Sequence, residues 1–269
     1  RISSHLICLG ALSMDMGAYT PFLYGICHRE LVNDIFEDIC GARLTYNYLT
    51  IGGVAQDAPP GFIDKCEQFA EYLYPKMLEF NDLITGNSIF QQRLCNVGVI
   101  TPEQAINWGL VGPNLRGSGV KWDLRKNEPY SLYDKLQFDV PVGDGGDSNG
   151  SNPQGSLGDS YDRYIVRVKE VFESNKIVKQ ICALMRENEK LTADSPDRQC
   201  QTKIPAKLKL KRGEVYVRSE NPRGETGYYL ISDGTNKPVR IKIRTGSFSA
   251  LNCFEEVTRG HLIGDVVAV

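Results

Sequence analysis

Residues 15–31 read DMGAYTPFLYGICHREL, and residues 36–54 read FEDICGARLTYNYLTIGGV. An aspartate, Asp15, stands in an otherwise apolar helical run at the start of this stretch. Thr20-Pro21 then signals a second helix, because threonine caps helices well and proline at the first helical position sacrifices no hydrogen bond. We predict that this helix ends at Gly41, which can adopt the left-handed conformation of a helix C-terminus. The stretch therefore begins a helical core.

Asp15 is the first candidate functional residue. The residues three and four positions before it are Leu12 and Ala11, so we expect it to lie on an apolar helix face. A carboxylate in apolar surroundings is costly unless it is paired or used. Asp15 is thus either a structural residue that caps backbone groups or pairs with an arginine, or a functional carboxylate that tunes the proton affinity of a partner.

Composition narrows the function classes. The chain has 269 residues, enough for one large or two modest domains, and its net charge is −2. Acidic and basic side chains are nearly equal in number, so the chain as a whole has no strong positive electrostatic field that would attract nucleic acid. No apolar run approaches the roughly 18–20 residues that a membrane span needs, so we expect at most a peripheral association with a membrane.

Cysteine and histidine usage argues against a metal or cluster on this chain. There are eight cysteines without any C-x-x-C pair and three histidines. A zinc or iron–sulfur site usually shows at least one close pair of ligands. We therefore expect reduced thiols that act as small apolar residues, and no bound metal.

The order of patterns predicts an α+β fold with a predominantly helical core and a small C-terminal antiparallel β meander. The meander follows from apolar alternation at Val215 and Val217, at Tyr228 and Leu230, and at Ile241 and Ile243, with a turn at Asp233-Gly234. The predicted segments are a helical core over 1–142, a flexible inserted loop over 143–158, a long helix over 159–191, a linker over 192–212, and the meander with a terminal helix over 213–269. Because the chain starts without methionine and stops in an apolar run, we interpret it as a fragment of a longer subunit.

Several separated motifs occur in an order that resembles one family, the D-type, quinone-site subunit of NADH-quinone oxidoreductase, respiratory complex I. The motifs in this chain are RISSH at 1–5, DMGAYTPF at 15–22, GAR at 41–43, NYLTIGGV at 47–54, GPNLRGSG at 112–119, WDLRK at 122–126, FDVP at 138–141, GDSYDR at 158–163, PRGE at 222–225 and GDVVA at 264–268. Each motif alone is weak, but their common order is specific.

The resemblance implies a core like that of the large subunit of nickel–iron hydrogenases, to which this family is related. It implies that Asp15 supports the quinone-site histidine and that Arg223 approaches the active-site cavity. It also implies that electrons pass from an iron–sulfur cluster on a neighbouring subunit to quinone, while NAD(H) is used on other subunits and this chain alone binds no cofactor. The implied partners are a cluster-bearing neighbour, a C-type subunit and a membrane-arm subunit, in a proton-translocating complex peripheral to the cytoplasmic side of the bacterial inner membrane.

Three departures from the family pattern stand out. Tyr46 and Thr50 occupy positions where the family usually has histidine and arginine. The loop at 143–158 looks inserted, and the family's quinone-headgroup histidine and tyrosine lie upstream of the segment that matches Arg1–His5. Two other functions stay open: the large subunit of a membrane-bound nickel–iron hydrogenase, and a purely architectural subunit.

Other charged residues have structural or functional interpretations. Salt bridges between helices and loops are the simpler role for Arg43, Arg116, Arg125 and Arg163. The alternative is a contact with a neighbouring subunit or with the surroundings of an iron–sulfur cluster on that subunit. For His5, in an apolar helix, we expect a hydrogen-bonded core histidine.

Overall fold

A computed structural model describes residues 1–145, 155–188 and 209–269. The α-helices in these ranges are α1 Ile2–Asp15, α2 Tyr19–Cys40, α3 Phe62–Phe80, α4 Ser88–Leu94, α5 Pro102–Asn107, α6 Pro113–Gly117, α7 Leu124–Asn127, α8 Ser160–Asn188, α9 Gly246–Asn252 and α10 Phe254–Thr258. The strands are β1 Leu49–Thr50, β2 Gly53–Val54, β3 Gly213–Asn221, β4 Gly224–Ser232 and β5 Arg240–Arg244.

The four long helices form the main core. Helix α8 packs against α1 and α3, and α2 packs against α1 and α3. The shared core contains Leu6 and Leu9 of α1, Leu73 and Met77 of α3, and Tyr164 of α8, all of them buried. These apolar side chains recur every three or four residues, which is the spacing that keeps them on one face of each helix.

Helix α2 confirms the predicted end and shifts the predicted start. Gly41 ends the helix with φ of +71°, as expected for a left-handed C-terminal residue. The helix begins at Tyr19, two residues before Pro21, so Thr20 does not cap it. A Cβ atom added to Gly25 of α2 would lie 2.8 Å from the carbonyl oxygen of Leu6, which shows how closely α2 approaches α1.

The segment between residues 112 and 141, which has no periodic apolar pattern, contains two short helices. Pro113 stands at the first position of α6. Asp123 caps α7, because its side chain accepts the backbone N–H of Arg125. Helices of four or five residues are too short to show a periodic apolar pattern, so the sequence did not reveal them. Likewise, the single terminal helix predicted after the meander is two helices that meet at Cys253.

The predicted β meander is present as an antiparallel sheet in the order β3-β4-β5. Val215 lies opposite Leu230, and Leu230 lies opposite Ile241, so these three residues share one face. With the long helices, this sheet gives the mixed helix and sheet composition of an α+β protein. Most of the predicted insertion at 143–158 and linker at 192–212 lies outside the described residues, and the domain boundaries stay predictions.

Candidate functional site

Asp15 is the last residue of α1, and a glycine fixes the way the helix ends. The backbone N–H of Gly17 bonds the carbonyl of Met14 at 2.8 Å, and that of Ala18 bonds the carbonyl of Ser13 at 2.8 Å. This pair of bonds is a Schellman ending, and it requires the left-handed conformation seen at Gly17, where φ is +92°. The D-x-G-A part of the motif therefore places a carboxylate on the final turn of the helix.

The side chain of Asp15 is exposed, contrary to the expected apolar surroundings. The buried face of α1 is formed by Leu6, Leu9 and Ser13. At about 100° per residue, Asp15 lies about 200° around the helix from Ser13, on the opposite side. Leu12, on which the expectation of an apolar face rested, is only half-buried and lies at the margin of the buried face of α1.

Neither structural role proposed for Asp15 is seen among the described residues. Its side chain makes no hydrogen bond or ion pair with residues 1–145, 155–188 or 209–269. An acid in the last turn of a helix also faces the negative end of the helix dipole, an arrangement that typically costs about 0.3–1 kcal/mol at the surface. Helix stability therefore does not explain why an aspartate stands here.

Arg223, the second candidate, lies in the turn between β3 and β4 and is exposed. The turn is held against the helical body, because a Cβ atom added to Gly112 would lie only 2.4 Å from Cα of Gly224. No hydrogen bond or ion pair joins Arg223 to Asp15 in the described part of the chain. Asp15 and Arg223 are therefore not joined into one site by a polar contact between the described residues.

A buried carboxylate, Glu170 of α8, organises a charged network that the sequence analysis did not single out. Its Oε2 atom lies 2.7 Å from Nε2 of His5 and accepts a hydrogen bond from Nη1 of Arg1 at 3.0 Å. Its Oε1 atom accepts from Nε of Arg116 at 3.0 Å and also from the Nη2 group of Arg116. Glu170 of α8 is thereby surrounded by groups from two other segments, the N-terminal residues and α6.

Arg116 extends the network to the sheet. Its Nη1 atom donates to Oε1 of Glu220 at 3.0 Å and to the carbonyl of Trp122 at 2.8 Å. Asp123 lies 3.6 Å from the same guanidinium and is itself paired with Arg125 at 2.6 Å. The side chain of Arg116 is fully buried, so these carboxylates provide its neutralisation. The network therefore ties α1, α6, α7, α8 and β3 together.

The charges in this network are set by burial and by pairing. Burial lowers the pKa of His5 to about 4, although Glu170 acts in the opposite direction, so the imidazole is neutral near pH 7. Burial would raise the pKa of Glu170, but Arg116, the His5 hydrogen bond and Arg1 hold it well below its usual value. Burial raises the pKa of Glu220 despite the neighbouring Arg116. Glu170 is thus the firmly ionised centre of the network.

An apolar cavity of about 260 Å³ lies beside the network. Its wall is mostly aliphatic and aromatic, with residues of α1, α2, α3 and α8, and the side chains of Arg1 and Arg125 form its charged part. Both guanidinium groups already have carboxylate partners. The cavity is therefore suited to an apolar group, since the two guanidinium groups in its wall are both paired with carboxylates.

The structure gives direct roles to the other charged residues considered. His5, Arg116 and Arg125 are hydrogen-bonded members of the buried network, as the simpler interpretation expected. Arg43 pairs at the surface with three carboxylates of α2, and Arg163 donates to the carbonyl oxygens of Gly98 and Gly158. Two members of this network, Arg116 and Arg125, lie in motifs that the sequence analysis identified. Glu170 lies in none of these motifs, so its role could not be predicted from the sequence.

Tyr46, at one of the positions that depart from the family pattern, is half-exposed. Its hydroxyl donates to Oδ1 of Asn33 at 3.3 Å, and its ring lies 4.5 Å from that of Phe36, centre to centre. Tyr46 thus anchors the segment after α2 onto that helix.

No group of three or more His, Cys, Asp or Glu side chains that could hold a metal occurs in the ranges that the structure describes. None of the helices in those same ranges combines the length and hydropathy that crossing a membrane requires.

Comparisons with known proteins identify the family. The model of the family "Respiratory-chain NADH dehydrogenase, 49 Kd subunit" matches residues 15–269. One of the D-type subunits of NADH-quinone oxidoreductase from Anaeromyxobacter dehalogenans is 49% identical over 269 residues, which are all of this chain and 66% of that relative. The D-type subunit of Chlorobaculum tepidum is 45% identical over 270 residues, and that of Bacillus cereus is 42% identical over 269 residues, covering 64% and 68% of those proteins.

The chain thus spans about two thirds of the length of these curated relatives. The family model matches from Asp15 to the last residue, a range that includes every motif of the resemblance except RISSH at 1–5. The resemblance is therefore confirmed: this chain belongs to the family of the 49 Kd subunit of the respiratory-chain NADH dehydrogenase.

Proposed function

We propose that this chain is part of the quinone-site subunit of a proton-translocating NADH-quinone oxidoreductase. The proposal rests on the family membership and on one observation, the exposed carboxylate of Asp15 at a helix end fixed by Gly17. This carboxylate neither caps its helix nor pairs with a described residue, so it is free to bind a group that lies outside the described residues. In the proposed role that group is the histidine that receives the quinone headgroup.

The proposed chemistry of Asp15 is electrostatic. A carboxylate beside a histidine favours the imidazolium and fixes the orientation of the ring, so it raises the proton affinity of that histidine. Reduction of quinone takes up protons as well as electrons, and a nearby imidazolium can supply one. Asp15 would therefore act as a positioning residue for proton delivery. Arg223, an exposed cation, is the second candidate, and the family resemblance alone suggests that it approaches the quinone site.

The remaining parts of the proposal concern the whole complex. Electrons would arrive from an iron–sulfur cluster on a neighbouring subunit, and NAD(H) would be used on other subunits. The partners would include a C-type subunit and a membrane-arm subunit, with this chain peripheral to the cytoplasmic side of the bacterial inner membrane. We also propose that the helical bundle follows the architecture of the nickel–iron hydrogenase large subunit.

Deletion of the gene and complementation with the full-length gene test this function. Membranes from the deletion strain should lose NADH-to-quinone electron transfer, and the full-length gene should restore it. Tagged full-length protein should co-purify with iron–sulfur subunits and without nickel. Stoichiometric nickel with hydrogen-dependent dye reduction would instead support the hydrogenase alternative. Normal NADH-to-quinone activity in the deletion strain would contradict the proposal.

A further inference from the structure

Two cysteines from different helices meet in the interface between α3 and α8. Cys66 lies on α3 and Cys182 lies on α8, and their thiol groups interact with each other across the interface. Both are free thiols, and together they form the thiol pair. Cys182 is buried, whereas Cys66 is half-buried and belongs to the wall of the apolar cavity. A small molecule can therefore reach one sulfur atom, and the second sulfur atom lies next to it.

Polar contacts on both sides of the thiol pair fix the register of the two helices. On one side, Nδ2 of Asn175 donates to the carbonyl of Ala70 at 2.8 Å, and both residues are buried. On the other side, Arg186 pairs with Asp64 at 2.6 Å. The helices are thus antiparallel, and on each of them the cysteine lies between the two contacts, so the sulfur atoms are held at one level.

The packing of the two helices suits a disulfide. A disulfide joins Cα atoms about 4.4–6.8 Å apart. Packed helix axes lie about 8–10 Å apart, and each Cα atom is about 2.3 Å from its own axis, so residues that face each other across a helix pair come within this range. The thiol pair can therefore close without unfolding either helix.

Burial keeps the thiol pair protonated when no oxidant is present. It raises the pKa of Cys66 from 9.0 to about 12, and the neighbouring thiol and Glu67 act in the same direction. Burial and Glu67 also raise the pKa of Cys182, although Arg186 opposes them. Because the thiolate is the form that attacks an oxidant, the pair reacts slowly and stays reduced until an oxidant persists.

We propose that Cys66 and Cys182 form a redox-sensitive modification site, which hydrogen peroxide converts into a disulfide that locks α3 to α8. The sulfur of Cys66 attacks one oxygen of the peroxide, the O–O bond breaks, and a sulfenic acid and one water molecule form. The sulfur of Cys182 then attacks the sulfenic sulfur, the S–S bond forms, and a second water molecule leaves. Each thiol loses one electron and one proton, and the peroxide is reduced to two water molecules.

The disulfide would restrain the helical bundle beside the cavity. It joins two positions that lie far apart in the chain, so it disfavours every open form in which α3 separates from α8. Local opening of α3 should therefore become rarer in the oxidised protein. The reaction needs neither Asp15 nor quinone, so the thiol pair and the proposed function can fail separately.

Mass spectrometry on the native complex tests whether the disulfide forms. Membranes are treated with hydrogen peroxide, free thiols are blocked with N-ethylmaleimide, and the digested full-length subunit is searched for a peptide pair that joins Cys66 to Cys182. This linked pair should be the main product and should disappear after dithiothreitol. Cys66→Ala should abolish it, whereas Cys8→Ala, which removes a half-buried thiol of α1, should not.

Three results would overturn the site. The first is oxidation of the exposed Cys27 without the linked pair. The second is oxidation of Cys66 to a sulfinic or sulfonic acid without a link to Cys182, and the third is a linked pair that forms only in urea. Each would show that the two cysteines only fill space between the helices.

Hydrogen exchange on the same samples tests the lock. Backbone amides of α3 around Cys66 should exchange at least about threefold more slowly in the oxidised wild type than in the reduced wild type. Oxidation should not change this exchange in Cys66→Ala or in Cys182→Ala. Unchanged exchange in a fully linked sample would overturn the lock, as would equal slowing in the two variants, because oxidation elsewhere would then be the cause.

Discussion

Replacement of Arg116 by methionine should strongly destabilise the protein. The guanidinium of Arg116 is fully buried and is within 3.0 Å of both Glu170 and Glu220. Methionine fills a similar volume but leaves these buried carboxylates without their main cation. Removing one partner of a buried ion pair typically costs about 3–5 kcal/mol, because the other charge remains buried and uncompensated.

Arg43→Met is the matched control. Arg43 also contacts three carboxylates, those of Glu30, Asp34 and Glu37, but its side chain is 40% exposed. Solvent and salt screen exposed ion pairs, so this variant should lose much less stability than Arg116→Met. The two variants differ mainly in burial and not in the number of carboxylates lost, so their difference isolates the cost of the buried charge.

Urea unfolding of the purified full-length protein, followed by circular dichroism, measures both variants. At a urea slope of about 3 kcal/mol per molar, the midpoint should fall by roughly 1–1.7 M for Arg116→Met, and the fall for Arg43→Met should be much smaller. Equal small shifts for both variants would refute the reasoning, because the buried network would then contribute no more than a surface cluster.

The pH dependence of the Arg116→Met effect provides an internal check. In the wild type the pKa of Glu170 is lowered, so its pairing stabilises the fold above the unfolded pKa, and this is lost as pH falls through the folded pKa. Without Arg116, burial should raise the pKa of Glu170 instead. The carboxyl then takes up a proton in acid and stops being a buried charge. The stability difference from the wild type should therefore shrink toward pH 4, and a difference that grows in acid would contradict this.

Two further predictions concern buried positions. Gly112→Ala should lower the free energy of unfolding by at least about 2–3 kcal/mol, because φ is +65° there and a Cβ atom would lie 2.4 Å from Gly224. Gly41→Ala is the control: φ is +71° but the surrounding space is open, so the loss should be only about 1 kcal/mol. Equal losses of stability for the two variants in thermal unfolding would contradict the packing argument. Burial raises the pKa of Asp162 from 3.8 to about 6, so its ionisation opposes folding above that range. Stability of the wild type relative to Asp162→Asn should therefore fall as pH rises from 3.8 to 6, and a flat difference would show that Asp162 is not held protonated.

The sequence predicted the elements whose signals are local or strongly periodic. The left-handed end of α2 at Gly41 depends on a single residue whose conformational preference is strong. The strands of the meander followed from alternation, although the alternation did not show which face would be covered. That choice is made by Glu220 and its distant partner Arg116, which local patterns do not reveal.

The candidate site was predictable only in part, for the same reason. The motif located Asp15, but its exposure depends on where the helix packs, and the half-buried Leu12 gave a misleading indication. Glu170 is one of many charged residues along α8, and nothing in the local sequence distinguishes it from the exposed ones. Its partners Arg1 and Arg116 lie 169 and 54 residues away in the chain, so only the folded structure brings them together.

The proposed role of Asp15 in quinone chemistry is tested by paired activity measurements on the Asp15→Asn variant. Membranes with equal amounts of assembled complex are assayed for NADH-to-quinone and NADH-to-ferricyanide electron transfer, with Asp82→Asn, another exposed aspartate, as the control. Loss of the carboxylate should lower the proton affinity of the quinone-site histidine and slow quinone reduction. We expect Asp15→Asn to lower the quinone rate at least about tenfold, a barrier change of about 1.4 kcal/mol, with the ferricyanide rate nearly unchanged. Equal loss of both rates, failure of the complex to assemble, or an unchanged quinone rate would contradict the claim.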